Sequence, residues 1–399
     1  MAERLQMSIK EIRKAKILEM VKEKKLTLKR GAELLGLSYR QGKRLYARYL
    51  SEGDAGLLHK SLGMQSNRRI DLELRSRVLE LYQEKYAGFG PTLAAEKLLE
   101  RDGMVVNRET LRLWLIAEGL WQVKRRRHRY RQRRERRERF GELVQFDGSH
   151  HDWFEGRGAK CCLMNMVDDA TGTTYAQLFE QETTEAAMRL LWGWIERYGI
   201  PQAVYCDRKN AFVINREPTV EEQLAGKKPL GPFELACEKL GVEIITAYSP
   251  QAKGRVERNH AVYQDRFIKD LRLEGINDRE SANNYLHESY LPSINAKFAK
   301  LPVVREDAHA PLFTPRILND VFCFEETRKV TRDYVITYEG KLYQLMKQER
   351  KRLPRPESSV TVRRWLDGSV HVFWENRELE ISIISKTSRK EEVSAGLSA

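Results

Sequence analysis

The spacing of apolar positions along this 399-residue chain changes character twice, and those changes divide it. Ile9, Ile12, Ile17, Leu18 and Val21 recur at helical spacing over residues 8–25. Thr27 is placed to cap a helix over 28–35, Gly36-Leu37-Ser38 breaks it, and Ser38 can cap the next, with Leu45 and Tyr49 inward. That succession predicts a helix-turn-helix. Its second helix would expose Arg40, Gln41, Lys43, Arg44 and Arg48, donors suited to phosphates and base edges in a major groove. A second helical group runs from Leu72 to Tyr86, breaks at Gly88-Phe89-Gly90-Pro91, resumes over Thr92–Glu100, and restarts at Asn107 or Thr110. It reads as a second helix-turn-helix, with Arg108 and Arg112 available to DNA.

From Gly141 the period becomes strand-like. Leu143–Phe146, Cys161–Val167 and Thr173–Phe179, with a turn at 168–172, predict a three-stranded antiparallel meander. A helix over Thr184–Tyr198, a strand over Ala203–Cys206, a helix over Phe233–Leu240, a strand over Val242–Thr246 and a long helix over Gly254–Leu273 follow. Such an order forms a mixed α/β sheet. Past Pro292, Pro302 and Pro311, short alternating runs at 334–338, 341–345, 359–365, 370–374 and 380–383 predict a small β-barrel. The expected organisation is multidomain: two all-α helix-turn-helix domains (1–60 and 68–122), a basic linker (123–140), an α/β core (141–275), a second linker (276–320), the barrel (321–385) and a disordered tail (386–399).

Charge sharpens this division. The formal net charge of +14 favours an anionic partner, nucleic acid first. Residues 124–139 are mostly arginine, among them Arg125, Arg126, Arg127, Arg129 and Arg131; such a run cannot pack into a core, and phosphate would neutralise it. Five scattered cysteines, mostly within apolar runs, predict buried thiols without disulfides in a reducing compartment. No run approaches a membrane span and the N-terminus lacks a signal-peptide core, so a cytoplasmic protein is expected. A zinc site from the neighbours His150 and His151 with Cys161 and Cys162 is disfavoured, because adjacent strand residues point to opposite faces.

Candidate chemistry lies in three acids. Asp147 and Asp207 end apolar runs and Glu257 opens the long helix. Carboxylates at buried strand ends are costly unless paired or bound to a cation, and several converging ones can hold two Mg²⁺ ions about 3.5–4 Å apart for phosphoryl transfer. Asp168 and Asp169 read instead as turn residues, and Glu217, Glu221 and Glu222 as part of a polar stretch over 215–228. Lys253, Arg255 and Arg258 lie within one turn of Glu257 and are placed for DNA phosphates, with Asn259 and His260 as weaker candidates.

These acids, their flanks and the element order resemble the ribonuclease H-like core of DDE transposases and retroviral integrases. The strongest local match is Tyr248-Ser249-Pro250-Gln251-Ala252-Lys253-Gly254-Arg255-Val256-Glu257-Arg258-Asn259. Gly88-Phe89-Gly90-Pro91-Thr92 with the doubled helical front is similar to bacterial insertion-sequence transposases of the ISNCY group. The resemblance implies a metal-dependent polynucleotidyl transferase that binds its element's terminal repeats on double-stranded DNA, then cuts and joins strands as a homo-oligomer. It assigns Asp147, Asp207 and Glu257 as catalytic and metal-binding, with two Mg²⁺ ions or Mn²⁺ in their place. It also likens the C-terminal strands to the barrel of integrases and Mu-type transposases, with Lys347, Lys351, Arg352, Arg363 and Arg364 toward phosphate. The Asp207 to Glu257 spacing of 50 departs from the pattern by being long (257 − 207). The competing readings are a DNA-binding regulator with an idle core and a structure-specific nuclease of the same fold.

Overall fold

Ser8, Thr27 and Ser38 each place a hydroxyl against backbone N–H groups that a helix start leaves without partners. Ser8 and Glu11 form a reciprocal capping box at the head of α1 (Ile9–Lys22). Thr27 caps α2 (Leu28–Leu34), and Ser38 with Gln41 closes a second box on α3 (Tyr39–Glu52). Leu18, Leu45 and Leu57 form the small core among them. Gly42, inside α3, permits the α2–α3 crossing, since a Cβ there would lie 2.7 Å from that of Ala32. This computed structural model describes residues 7–58, 70–123, 135–207, 212, 229–246, 254–311, 315–347 and 352–384. It falls into two units, 1–84 and 85–399. Helix α4 (Leu72–Lys85) ends at their boundary.

In the larger unit, α5 (Pro91–Asp102) opens on proline and ends at Gly103, whose φ of +66° suits a residue without a Cβ. Asn107 caps α6 (Arg108–Ala117). A five-stranded sheet follows, in the order β3-β2-β1-β4-β5. Strands β1 (Val144–His151), β2 (Cys161–Asp168) and β3 (Thr174–Phe179) form the expected antiparallel meander, while β4 (Ala203–Cys206) and β5 (Glu243–Thr246) add in parallel. Helices α7 (Thr184–Tyr198), α8 (Pro232–Leu240) and α9 (Gly254–Leu273) cover it, with Phe146, Trp153, Trp194, Phe233 and Phe267 in one continuous core.

Helices α10 (Arg279–Tyr285) and α11 (Leu291–Phe298) are joined by a π-helical turn over Leu286–Tyr290, just before Pro292. They close the open edge of β3. The Asn283 amide pairs with both the N–H and C=O of Leu178, and the Asn295 amide does the same at Thr174. Two side chains thereby supply bonds that a sixth strand would make, leaving less unpaired edge for aggregation.

The structure corrects two expectations. First, β1 does not end at Asp147: its pairing with β2 continues to His151↔Cys161, while its pairing with β4 stops at Gln145↔Tyr205. Second, the C-terminal strands do not close into a barrel. Beyond α12 (Pro315–Val321), β6 (Cys323–Lys329), β9 (Ser359–Trp365), β10 (Val370–Trp374) and β11 (Arg377–Leu379) form one sheet, and β7 (Val335–Tyr338), β8 (Lys341–Leu345) and β12 (Ile381–Ile384) a second. The two open sheets share a core that includes Val330, Ile336, Tyr343, Val362 and Val372.

Candidate active site

Two periodicities meet where α9 lies along β1. On a strand, Gln145, Asp147 and Ser149 share a face, with about 6.6 Å between successive members. On a helix, Val256, His260 and Gln264 recur every four residues, about 6.0 Å apart. The steps match closely enough for each strand residue to meet a helix partner. Gln145 Oε1 accepts from the Val256 N–H at 3.2 Å, Asp147 Oδ2 lies 3.9 Å from His260 Nδ1, and Gln264 donates to Ser149 Oγ at 3.1 Å. Glu257 follows Val256 and precedes His260 by three, in the first turn of α9, and is exposed.

Asp207 is brought in by β4. The parallel register pairs Gln145 with Tyr205, and Asp147 and Asp207 each lie two residues further along their own segments, Asp207 one residue past the end of β4. Adjacent strands run about 4.8 Å apart. The side-chain oxygens of the three acids are thus carried by elements that meet at Gln145, which pairs with Tyr205 of β4 and bonds to the first turn of α9. All are hard donors, which suit Mg²⁺ or Mn²⁺ rather than a thiophilic ion.

Behind this corner lies a buried polar network that sequence reasoning missed. Asn165, directly across from Asp147 on β2, donates to Asn259 at 2.7 Å and accepts from Thr174 Oγ1 at 2.7 Å. Thr174 Oγ1 also reaches Asn259 and the Tyr263 hydroxyl, both at 3.1 Å. Asn259 and His260 thus face inward, away from the phosphate contacts expected of them. A polar residue in the middle of an apolar strand was the available signal for Asn165.

Asp168 and Asp169 lie at the expected turn and are fully buried. Asp168 accepts from the N–H groups of Thr171 and Gly141 and from the Thr171 hydroxyl; burial nevertheless raises its pKa above the usual carboxylate value. Asp169 accepts from Arg255 Nε at 2.6 Å, Gln145 Nε2 at 2.8 Å and the Arg137 N–H at 2.9 Å. Arg255 also donates to the Glu135 carbonyl at 3.0 Å. Its guanidinium is therefore engaged inward, not held out for DNA.

The other predicted cations divide. Arg40, Lys43 and Arg44 are exposed on α3, as is Arg258 on α9, while Arg48 is half-buried. Gln41 is exposed, with its amide oxygen used by the capping box. Arg108 is exposed at the start of α6, and Arg112 is bound by Glu109. Arg363 is paired with Asp320 and Glu325, and Arg364 with Glu339, so both serve the C-terminal sheets. Arg125, Arg126, Arg127, Arg129, Arg131, Lys253, Lys351, Glu217, Glu221 and Glu222 lie outside the described residues.

All five cysteines are buried free thiols. His150 and Cys162 are brought together as cross-strand partners rather than sequence neighbours, and with Glu182 their donor atoms lie within 4.8 Å of one another. A closed structural zinc site takes four ligands, whereas this group offers three and the His150 side chain is 63% exposed. It also points away from the Asp147 face of β1.

A helix-turn-helix domain profile matches residues 13–63. The chain is 38% identical over 394 residues to the Sinorhizobium fredii (strain NBRC 101917 / NGR234) protein named "Putative transposase y4bF", covering 96% of this chain and 83% of that protein. It is 25% identical over 400 residues to the transposase for insertion sequence IS1202 of Streptococcus pneumoniae, covering 91% and 84%. The catalytic core domain of BIV integrase aligns at 22% identity over 40% of this chain and 99% of its own, with a TM-score of 0.28, too low to bear on the argument. Among the described residues, no helix is long and apolar enough to cross a membrane. With near full-length likeness to both curated proteins and a DNA-binding helical domain at its front, the chain belongs to the family of bacterial insertion-sequence transposases.

Proposed function

We propose that the chain is a DDE-type transposase that binds the terminal repeats of its own element and cuts and joins DNA strands at Asp147, Asp207 and Glu257. The observation that carries this reading is the pairing of β1 with β4 at Gln145↔Tyr205, two residues before Asp147 and Asp207, with the first turn of α9, which carries Glu257, bonded to the same Gln145. The three acids would hold two Mg²⁺ ions, with Mn²⁺ as a substitute. When bound, such ions lower the pKa of an attacking water or DNA 3′-hydroxyl and stabilise the leaving oxygen.

The protein's own part is positioning. Asp147 lies on β1, Asp207 one residue past β4 and Glu257 in the first turn of α9, and these elements would keep the three oxygen donors in place while substrate exchanges. Exposed Arg258, one residue after Glu257, is placed to meet a DNA phosphate. Arg40, Lys43 and Arg44 on α3 would enter a major groove, and Arg108 at the start of α6 would contact DNA as well. Joining two element ends calls for at least two copies of the chain on DNA. The domain limits read from the sequence, with 141–275 as the catalytic core, belong to this proposal.

The test is cleavage and joining on DNA carrying the sequences that flank this gene, with Mg²⁺, comparing wild type, Asp147→Ala and Glu257→Gln. Wild-type nicking and joining, lost in both variants while all three bind the ends, is the expected result. Binding by the wild type without any cleavage in Mg²⁺ or Mn²⁺ would remove the triad's assigned role and favour a DNA-binding regulator.

A further inference from the structure

Asp169 is wholly buried, yet it is neither a member of the carboxylate triad nor a purely local turn residue. Its two oxygens gather three parts of the chain that are distant in sequence. Oδ1 accepts from Gln145 Nε2 on β1 and from Arg255 Nε on α9; Oδ2 accepts from the Arg137 N–H. Gln145, itself 1% exposed, passes the connection on: its amide nitrogen is held by Asp169, and its oxygen takes the Val256 N–H. That N–H belongs to the first turn of α9, where helix donors have no partner within the helix. Residues 255 and 256 are thus both tied to one carboxylate, directly and through one amide, and Glu257 comes next.

We propose that Asp169 is a positioning residue for Glu257, setting the azimuth and height of the first turn of α9 against β1 through Gln145 and Arg255. This rests on the assignment of Glu257 to the reacting site. Arg255 cannot serve the purpose alone, because a guanidinium without a fixed acceptor does not choose one rotamer. Gln145 cannot either, since an amide can flip and present its nitrogen to Val256; the Asp169 carboxylate, which only accepts, fixes the amide's orientation. The Glu135 carbonyl and the Arg137 N–H join the same group, so the chain entering the core is fastened at the point where α9 begins.

The experiment uses the full chain and compares wild type, Asp169→Asn, Arg255→Gln and the double variant. Hydrogen exchange over 254–260 reads the anchoring without any reaction, and cleavage of element ends against Mg²⁺ concentration reads its consequence. In Asp169→Asn, exchange in the first turn of α9 should quicken about tenfold or more, while end binding and the melting temperature of the helix-turn-helix unit stay unchanged. Cleavage should fall by roughly 10- to 100-fold, as displacement of a reacting group by about 1 Å does. The loss should lie in kcat and in the half-saturating Mg²⁺ concentration, not in KM for DNA. The double variant should be no worse than the poorer single one, because both remove one connection. Unchanged exchange over 254–260 in Asp169→Asn, or cleavage equal to an active wild type, overturns the proposal. An inactive wild type with quickened exchange in the variant refutes the triad assignment instead, leaving the anchoring in place.

Discussion

Replacing Asn165 with leucine should destabilise the larger unit by about 2–4 kcal/mol, although the two side chains are similar in size and the site is fully buried among apolar residues. Asn165 makes two 2.7 Å hydrogen bonds, one to Asn259 and one from Thr174. Each contributes about 1 kcal/mol net, and a buried polar group left without its partner costs about 1–3 kcal/mol more. Thr174 keeps Tyr263 and Asn259 at 3.1 Å, so the Asn259 oxygen retains one donor and the penalty lies toward the lower end of that range. Greater apolar burial by leucine offsets part of this by roughly 1 kcal/mol. Urea unfolding followed by tryptophan fluorescence is a suitable assay, because Trp153 and Trp194 are buried in the same core. The midpoint should fall at unchanged m-value. A midpoint equal to wild type, or higher, would refute the claim that this network fastens β2 to α9.

In the N-terminal unit, Gly42→Ala should weaken DNA binding and lower stability despite alanine's better helix propensity, because the added Cβ meets that of Ala32 at 2.7 Å; a more stable variant with wild-type affinity would contradict the close α2–α3 crossing. Burial alone would raise the pKa of Glu96, but hydrogen bonds and charge from Arg266 and Lys297 outweigh it and hold the group below the usual value. A depressed carboxylate contributes stability above its unfolded pKa, 4.5, and loses it as pH falls through the folded value. The stability gap between wild type and Glu96→Gln should therefore be full above about pH 4.5 and narrow in more acid buffer, checked by urea titrations across that range; a gap independent of pH would count against the ion pairs.

Helix caps were legible because their causes are local. Thr27, Ser38 and Asn107 bond to N–H groups two or three residues away, and Asp147 and Asp207 stand out at the ends of apolar runs. Strand β6 was not legible. Its sequence, Cys323-Phe324-Glu325-Glu326-Thr327-Arg328-Lys329, looks too charged for a sheet, yet Glu325 is matched by Lys239 and Arg363, each far away along the chain. Asp169 was hidden for the same reason. Asp-Asp-Ala-Thr-Gly is a turn signal, and only an arginine 86 residues later makes its second acid a buried junction.

The long separation of Asp207 and Glu257 bears on the site less than linear spacing implies. If the connecting chain positioned Glu257, extra residues between the two acids would displace it. The contacts place α9 by β1 instead: Gln145, Asp147 and Ser149 meet Val256, His260 and Gln264, and Asn165 on β2 holds Asn259. None of those partners lies between 208 and 253. A helix registered on a strand at three levels keeps its height whatever length of chain leads into it, since loop closure entropy grows only slowly with length. The spacing between the acids can therefore vary while α9 keeps its register on β1, and it is that polar register, rather than the count of residues, that supports the proposed assignment of Glu257.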